Sequence, residues 1–271
     1  MMKIDMHTHT LASDGNLSCE QLIDKAINEG INVISITDHD SLDAYDNVGI
    51  IEKSKIRLIP GIELSTRLET PIHILGYNID VKNENLLFEI DKVRSLRTRE
   101  IKEIVKKLKE NLSNDISLKD IIIYEKKLNI ESIAHYLFDK GYCDSVSDAH
   151  TNFLDKGCCG YVQKECMEPK RAIQLIKEAG GFAVLAHPNR IYVDEGRKLK
   201  IIESLIEAGL DGIEVFCKGM DKVDYYLDLC NRKKLLISGG SDFHTNEDNL
   251  GCWACNELIP DNVFINSFLQ I

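Results

Sequence analysis

Nothing in this sequence supports a membrane span, a basic grip on nucleic acid or a disulfide-stapled scaffold. No apolar run approaches the roughly 18 residues that crossing a bilayer requires. Positive charge is in deficit: 33 Lys and Arg stand against 44 Asp and Glu, a formal charge of −11. That balance excludes long duplex nucleic acid held by a basic surface. Proline is scarce, at five residues, and no Pro/Ser-rich linker, repeat or low-complexity tract divides the chain. Cysteine is not scarce, at nine residues. These are scattered through regular segments of a chain too long to need disulfides, and no secretory leader precedes them. The expectation is a soluble, cytoplasmic protein with reduced thiols.

At 271 residues the chain can bury a full core as one large domain, or as a domain with an insertion. Short apolar strands alternate with amphipathic helical stretches: Ile4 to His7, Cys19 to Glu29, Val33 to Thr37, Ser41 to about Lys53, then Leu58 to Leu64. This order predicts an α/β fold with mainly parallel strands. It resumes with helices at Pro169 to Ala179, Lys198 to Ala208 and Met220 to Lys233, and strands at Phe182 to Ala186, Gly212 to Phe216 and Leu235 to Ser238. Between about Lys82 and Lys156 the signals are almost wholly helical. The chain therefore divides into 1–81, a helical insertion over 82–158, and 159–271.

Nine nitrogen and oxygen donors stand out: His7, His9, Asp14, His39, Glu63, His73, His187, Asp242 and His244. Residues two apart in a strand point the same way, so His7 and His9 aim at one point, and Asp242 with His244 repeats the spacing. Functional groups in parallel α/β folds gather where strands end. His7, His39, Glu63, His187 and Asp242 fit that rule, whereas His73 precedes its strand, Ile74 to Tyr77. Six of the eight histidines fall in the set, and His135 and His150, in the insertion, read as surface or packing residues. Imidazole and carboxylate without thiolate suit Zn²⁺, Mn²⁺ or Fe²⁺. Nine donors exceed what one tetrahedral ion needs, so two or three ions are expected, with Glu63 able to bridge. Such a cluster polarises a phosphoryl oxygen and lowers the pKa of bound water to about 7, which makes hydrolysis the natural reaction.

The motifs His7-Thr8-His9, Thr37-Asp38-His39-Asp40, Gly61-Ile62-Glu63, His73-Ile74-Leu75-Gly76-Tyr77, Leu185-Ala186-His187-Pro188 and Gly240-Ser241-Asp242-Phe243-His244 occur in order from Lys3 to about Gly251. Together they resemble the PHP (polymerase and histidinol phosphatase) family, in particular its bacterial branch of small nucleotide and oligonucleotide phosphoesterases. The resemblance implies a distorted (β/α)₇ TIM-like barrel, a trinuclear centre and phosphoester hydrolysis. It also implies one metal at His7, His9, Glu63 and Asp242, a second at Glu63, His73 and His187, and a third at Asp14, His39 and His244. The helical insertion would cap the site. One stretch departs from the pattern: the branch carries Arg-Pro-His-Ile-Ala in its insertion, and here Ile130-Glu131-Ser132-Ile133-Ala134 stands in its place, removing a bidentate phosphate donor.

On this reading Glu63, His187 and Asp242 act in catalysis. Asp38 orients a ligating histidine or handles a proton, and Asp40 caps the helix at Ser41. Arg67, Asn189 and Arg190 follow the Glu63 and His187 motifs closely enough to reach a substrate phosphate. The expected partner is a small phosphorylated molecule such as a nucleoside 3′,5′-bisphosphate or a short 5′-phosphorylated oligonucleotide. Histidinol phosphate, an amide or lactone, and a non-catalytic metal-binding regulatory module are the alternatives. Glu214, alternating with apolar residues, either meets substrate or is a buried structural carboxylate. Cys252-Trp253-Ala254-Cys255 reads as buried thiols on a final strand.

Overall fold

The computed structural model describes residues 3–46, 56–124 and 129–251. Two compact units are present: Met1–Ile90 together with Met167–Ile271, and Asp91–Cys166. The expected helix from Ser41 is seen as a short 3-10 turn over residues 43–46, and the rest of that segment lies outside the described residues. So do Cys252-Trp253-Ala254-Cys255.

The first unit is an α/β barrel of seven strands in sequence order: β1 (Ile4–Thr8), β2 (Val33–Ile36), β3 (Arg57–Arg67), β4 (Pro71–Tyr77), β5 (Phe182–Leu185), β6 (Gly212–Phe216) and β7 (Leu236–Gly239). Four short strands are buried throughout or nearly so; β2 and β5 read as mainly apolar runs, whereas β1 and β6 bury Asp5, His7 and Glu214 among their apolar residues. Helices α1 (Cys19–Asn28), α7 (Glu195–Glu207) and α8 (Val223–Lys233) supply parallel crossovers, and α6 (Pro169–Glu178) leads into β5. Their buried faces carry Leu22, Ile23 and Ala26 in α1, and Ala172, Ile173, Leu175 and Ile176 in α6. Ser18 and Gln21 form a capping box at the start of α1, satisfying otherwise unpaired amides there.

Not every pairing is parallel. β4 runs antiparallel to both β3 and β5. Its beginning therefore lies at the end of the barrel where the other strands finish. This resolves the one exception in the sequence pattern, because His73 near the start of a reversed strand reaches the same rim as residues that end forward ones. β3 is long enough to pair in parallel with β2 through Val33–Arg57 to Ile36–Pro60, and then with β4 from Gly61 to Arg67. Glu63 thus lies within the strand rather than after it.

The ring closes between β1 and the segment after β7. His9 N donates to Phe243 O at 2.9 Å, and Thr8 bridges Phe243 in parallel register. Gly240 makes that approach possible, since a Cβ there would lie 2.3 Å from His7 Cβ and 2.5 Å from His7 N. Asp5, fully buried, accepts from His7 N at 3.2 Å, Ser241 N at 3.0 Å, Ser241 Oγ at 2.6 Å and Gly251 N at 2.8 Å. One carboxylate thereby holds both edges of the seam.

The second unit has its own core, built from Ile101, Ile104, Val105, Leu108, Ile116, Ile121, Ile133, Leu137 and Leu154 among others. Helix α2 (Glu84–Asn111) begins in the first unit and continues into the second. It is followed by α3 (Leu118–Tyr124), α4 (Ile130–Asp139) and α5 (Val146–Ala149), the last running into a π-turn over His150–Leu154. Asn129 and Ser132 cap α4 reciprocally. Ser132 is thus committed to the helix terminus, and Glu131 pairs with His150 at 3.1 Å. His135 is exposed.

Candidate metal centre

Glu63 lies at the middle of the barrel rim with no exposed surface. Its Oε1 faces His73 Nδ1 at 2.9 Å and His187 Nε2 at 3.0 Å. Its Oε2 faces His7 Nε2 at 3.2 Å, His9 Nε2 at 3.3 Å and His39 Nδ1 at 3.2 Å. Five imidazoles converge on one carboxylate, divided between its two oxygens, as a bridging ligand between neighbouring cations would require. Asp242 Oδ1 joins from the seam, 3.4 Å from His7 Nε2 and 3.3 Å from His9 Nε2. At the outer side Asp14 lies 3.5 Å from His9 Nδ1, 3.8 Å from His39 Nε2 and 3.4 Å from His244 Nε2.

Eight of the nine sequence-chosen donors form three overlapping groups whose ligand atoms lie within 4.8 Å of one another: His7, His9, Glu63 and Asp242; His9, Asp14, His39 and His244; and His39, Glu63 and His73. His187 joins through its contact with Glu63 Oε1. The chemistry of the donors fits divalent cations. A second observation supports the fit: His9 Nε2 is buried without a hydrogen-bond partner, one of two such side-chain atoms among the described residues. It sits 3.3 Å from two carboxylates without hydrogen-bond geometry, and a buried polar atom left so is costly. A cation between them would satisfy all three.

The backbone is shaped to make this convergence. Asp40, His187 and Asp242 have φ of 47°, 26° and 55°, conformations uncommon for residues with side chains and found where surrounding contacts impose them. Asp40 N donates to Glu63 O at 2.9 Å, and Asp40 Oδ1 accepts from Ser65 N at 2.9 Å. That ties the His39 loop to β3.

Charge in the cluster is strongly coupled. Burial acts to lower the His7 pKa, but Glu214, Glu63 and Asp242 raise it well above the usual imidazole range. Burial likewise opposes protonation of His244, yet Asp14 lifts it to about 9. Burial dominates at His39 and lowers it to about 4. Glu63 and Asp242 are held far below ordinary carboxylates despite burial, Glu63 by His39, His7 and His73, and Asp242 by His7 and His9.

The remaining expected residues are placed unevenly. Asp38 is buried and accepts from Thr10 N at 2.7 Å, Thr10 Oγ1 at 2.6 Å and Ser13 Oγ at 2.5 Å. Ser13 Oγ in turn lies 3.4 Å from His9 Nδ1, so Asp38 reaches His9 only through Ser13 while holding the Thr10–Asp14 turn. Arg190 Nη1 donates to Asp242 Oδ2 at 2.7 Å, opposite the oxygen that faces the histidines. Asn189 Nδ2 donates to Lys218 O at 3.3 Å, and Arg67 is exposed at the end of β3 with no contact to the cluster. Asp5, Thr10 and Ser13 went unnoticed in the sequence. For Asp5 a signal existed: it shares the strand face of His7 and His9, an unusual place for a lone carboxylate.

The model of the PHP domain matches residues 5–232. The chain belongs to the PHP domain family. Among curated PHP relatives, a 5′-3′ exoribonuclease of Haemophilus influenzae is 32% identical over 89% of this chain and 90% of that protein. A 3′,5′-nucleoside bisphosphate phosphatase of Chromobacterium violaceum is 28% identical over 90% of this chain and 88% of its own length. Among solved structures, an amidohydrolase from C. violaceum with bound sulfate and no metal superposes with a TM-score of 0.81 at 25% identity, covering 99% of this chain and 96% of that one.

Proposed function

We propose that the substrate of this metal-dependent phosphoesterase is a small nucleotide, a nucleoside 3′,5′-bisphosphate or a short 5′-phosphorylated oligonucleotide, bound over the rim of the barrel. The observation that carries the reading is the convergence of nine imidazole and carboxylate donors, Glu63 among them, with His9 Nε2 left buried and unpaired. The names of the H. influenzae and C. violaceum relatives, one an exoribonuclease and the other a bisphosphate phosphatase, support the substrate class.

Two or three divalent cations, as Mn²⁺, Zn²⁺ or Fe²⁺, would be held by His7, His9, Glu63 and Asp242, by Glu63, His73 and His187 with His39 at hand, and by Asp14, His39 and His244. Bound there they would supply Lewis-acid polarisation of the phosphoryl group and activate water. The chain's own contribution is order. Glu63 spaces the two inner groups, and Asp242 has one oxygen toward the histidines and the other paired with Arg190. Ser13 donates its hydroxyl proton to Asp38 and accepts from His9 Nδ1, which leaves the His9 Nε2 lone pair facing inward. Arg190 binds a phosphate oxygen with the guanidinium edge not used by Asp242, with Asn189 and Arg67 as further substrate contacts.

Purified protein analysed for metal and assayed against nucleoside 3′,5′-bisphosphates, 5′-phosphorylated RNA and histidinol phosphate tests this. Hydrolysis of the first two, abolished by chelation, is expected. Selective turnover of histidinol phosphate would move the function to that monoester. Full metal occupancy with no hydrolysis would favour a regulatory module. The amidohydrolase neighbour makes an amide or lactone the second reading, and turnover of such substrates with none of phosphoesters would establish it.

A further inference from the structure

We propose that Glu214 is a positioning residue for the metal centre, fixing His7 in the tautomer that ligates and anchoring the backbone turn that presents His187. The inference rests on reading the donor cluster as a metal centre. Glu214 sits on β6 and is wholly buried. It belongs to none of the three donor groups. Its Oε1 lies 2.9 Å from His7 Nδ1, and its Oε2 accepts from His187 N at 2.7 Å. Both oxygens are therefore engaged inside the protein.

The two contacts act on opposite flanks of Glu63. With an Nδ1–H of His7 donating to Glu214 Oε1, it is Nε2, facing Glu63 Oε2 and Asp242 Oδ1, that would offer its lone pair to a cation held among them. A hydrogen bond of this kind to the far nitrogen of a ligating histidine sets ring orientation and raises ligand basicity. At His187 the backbone takes φ of 26°, and the Glu214 oxygen gives the amide of that strained residue a buried partner. His187 Nε2 then reaches Glu63 Oε1. A single side chain on β6 thus couples a ligand on β1 to a ligand after β5, which are remote in the chain.

The test turns on an isosteric change. In Glu214→Gln the amide of His187 still needs an acceptor, so the carboxamide oxygen goes there and the NH₂ turns to His7 Nδ1. An NH₂ donor makes Nδ1 the acceptor, places the ring proton on Nε2 and blocks the ligating lone pair. The variant should fold and melt near wild type when metal-free. Its affinity for Zn²⁺, measured by competition with a chromophoric chelator, should fall about 10- to 100-fold. In ¹⁵N-correlated spectra of zinc-loaded wild type, His7 should show an exchange-protected Nδ1–H that the variant lacks. A merely structural carboxylate would let Gln lower stability while leaving zinc affinity and tautomer alone. Wild-type zinc affinity in the Gln variant, or an Nε2–H on His7 in the zinc-loaded wild type, overturns the proposal. The second measurement decides even if the variant fails to fold. Absence of zinc binding by wild type itself would reject the metal-centre reading, and this inference with it.

Discussion

His9 is the residue on which the centre most depends, because it stands in two of the three donor groups and its Nε2 has no other partner. His9→Ala should lower bound metal and cut turnover at least about 10³-fold, equivalent to about 4 kcal/mol of lost transition-state stabilisation. Metal analysis beside steady-state kinetics checks it, and a fully active variant would remove the assigned role. Arg190 makes the contrasting case. It pairs with Asp242 Oδ2, whereas Oδ1 has its own contacts with His7 and His9, so Arg190→Met should keep the metal while kcat/KM falls about 10- to 100-fold, the loss of one charged hydrogen bond. Unchanged kinetics would exclude it as a phosphate ligand. Residue types alone made the donors legible, because imidazole and carboxylate pairs two apart on strands have few other uses. Asp38 was legible as a nearby carboxylate but not as the anchor of the Thr10–Asp14 turn, since that depends on where β2 lies beside β1.

Among the elements, the seam between β1 and the Gly240–His244 segment is the part most exposed to damage. Four hydrogen bonds from both edges end on Asp5. Asp5→Ala would leave those donors unpaired in the interior and should cost about 3 kcal/mol or more, read as a lower urea midpoint. Metal affinity should fall with it, because His7 and Asp242 flank the same joint. β4 shows what periodicity hides. Its apolar residues mark a strand, but strand direction is set by pairing with neighbours, and only the antiparallel register brings His73 to the common rim.

For the whole molecule, metal removal and pH act on the same cluster. Stripping the cations should leave like and unlike charges packed without their counterions and lower Tm, with recovery on adding Mn²⁺ or Zn²⁺. His244, raised from 6.5 to about 9 by Asp14, contributes stability to the metal-free fold that is complete below pH 6.5 and lost as pH rises through about 9. His39, lowered to about 4, works the other way only between about pH 4 and 6.5. The metal-free protein should therefore melt lower at pH 9 than at pH 6.5. Metal affinity should change in the opposite sense, since binding expels protons from His7, His73 and His244. Calorimetry in buffers of different ionisation enthalpy counts the protons released, and a metal-free Tm that does not fall from pH 6.5 to 9 would contradict the His244 assignment.

The sequence by itself determined that short buried strands alternate with amphipathic helices, and that a particular set of histidines and acids accompanies those strands. Both are local properties, carried by hydrophobic period and by the chemistry of individual side chains. Tertiary structure decided which donors come together, because Glu63 meets five imidazoles drawn from β1, the His39 loop, β4 and the turn after β5. It also decided that Glu214 and Asp5 are buried carboxylates engaged by hydrogen bonds on both oxygens. A carboxylate looks the same in any sequence, and its function depends on which hydrogen-bond donors the barrel brings within its reach.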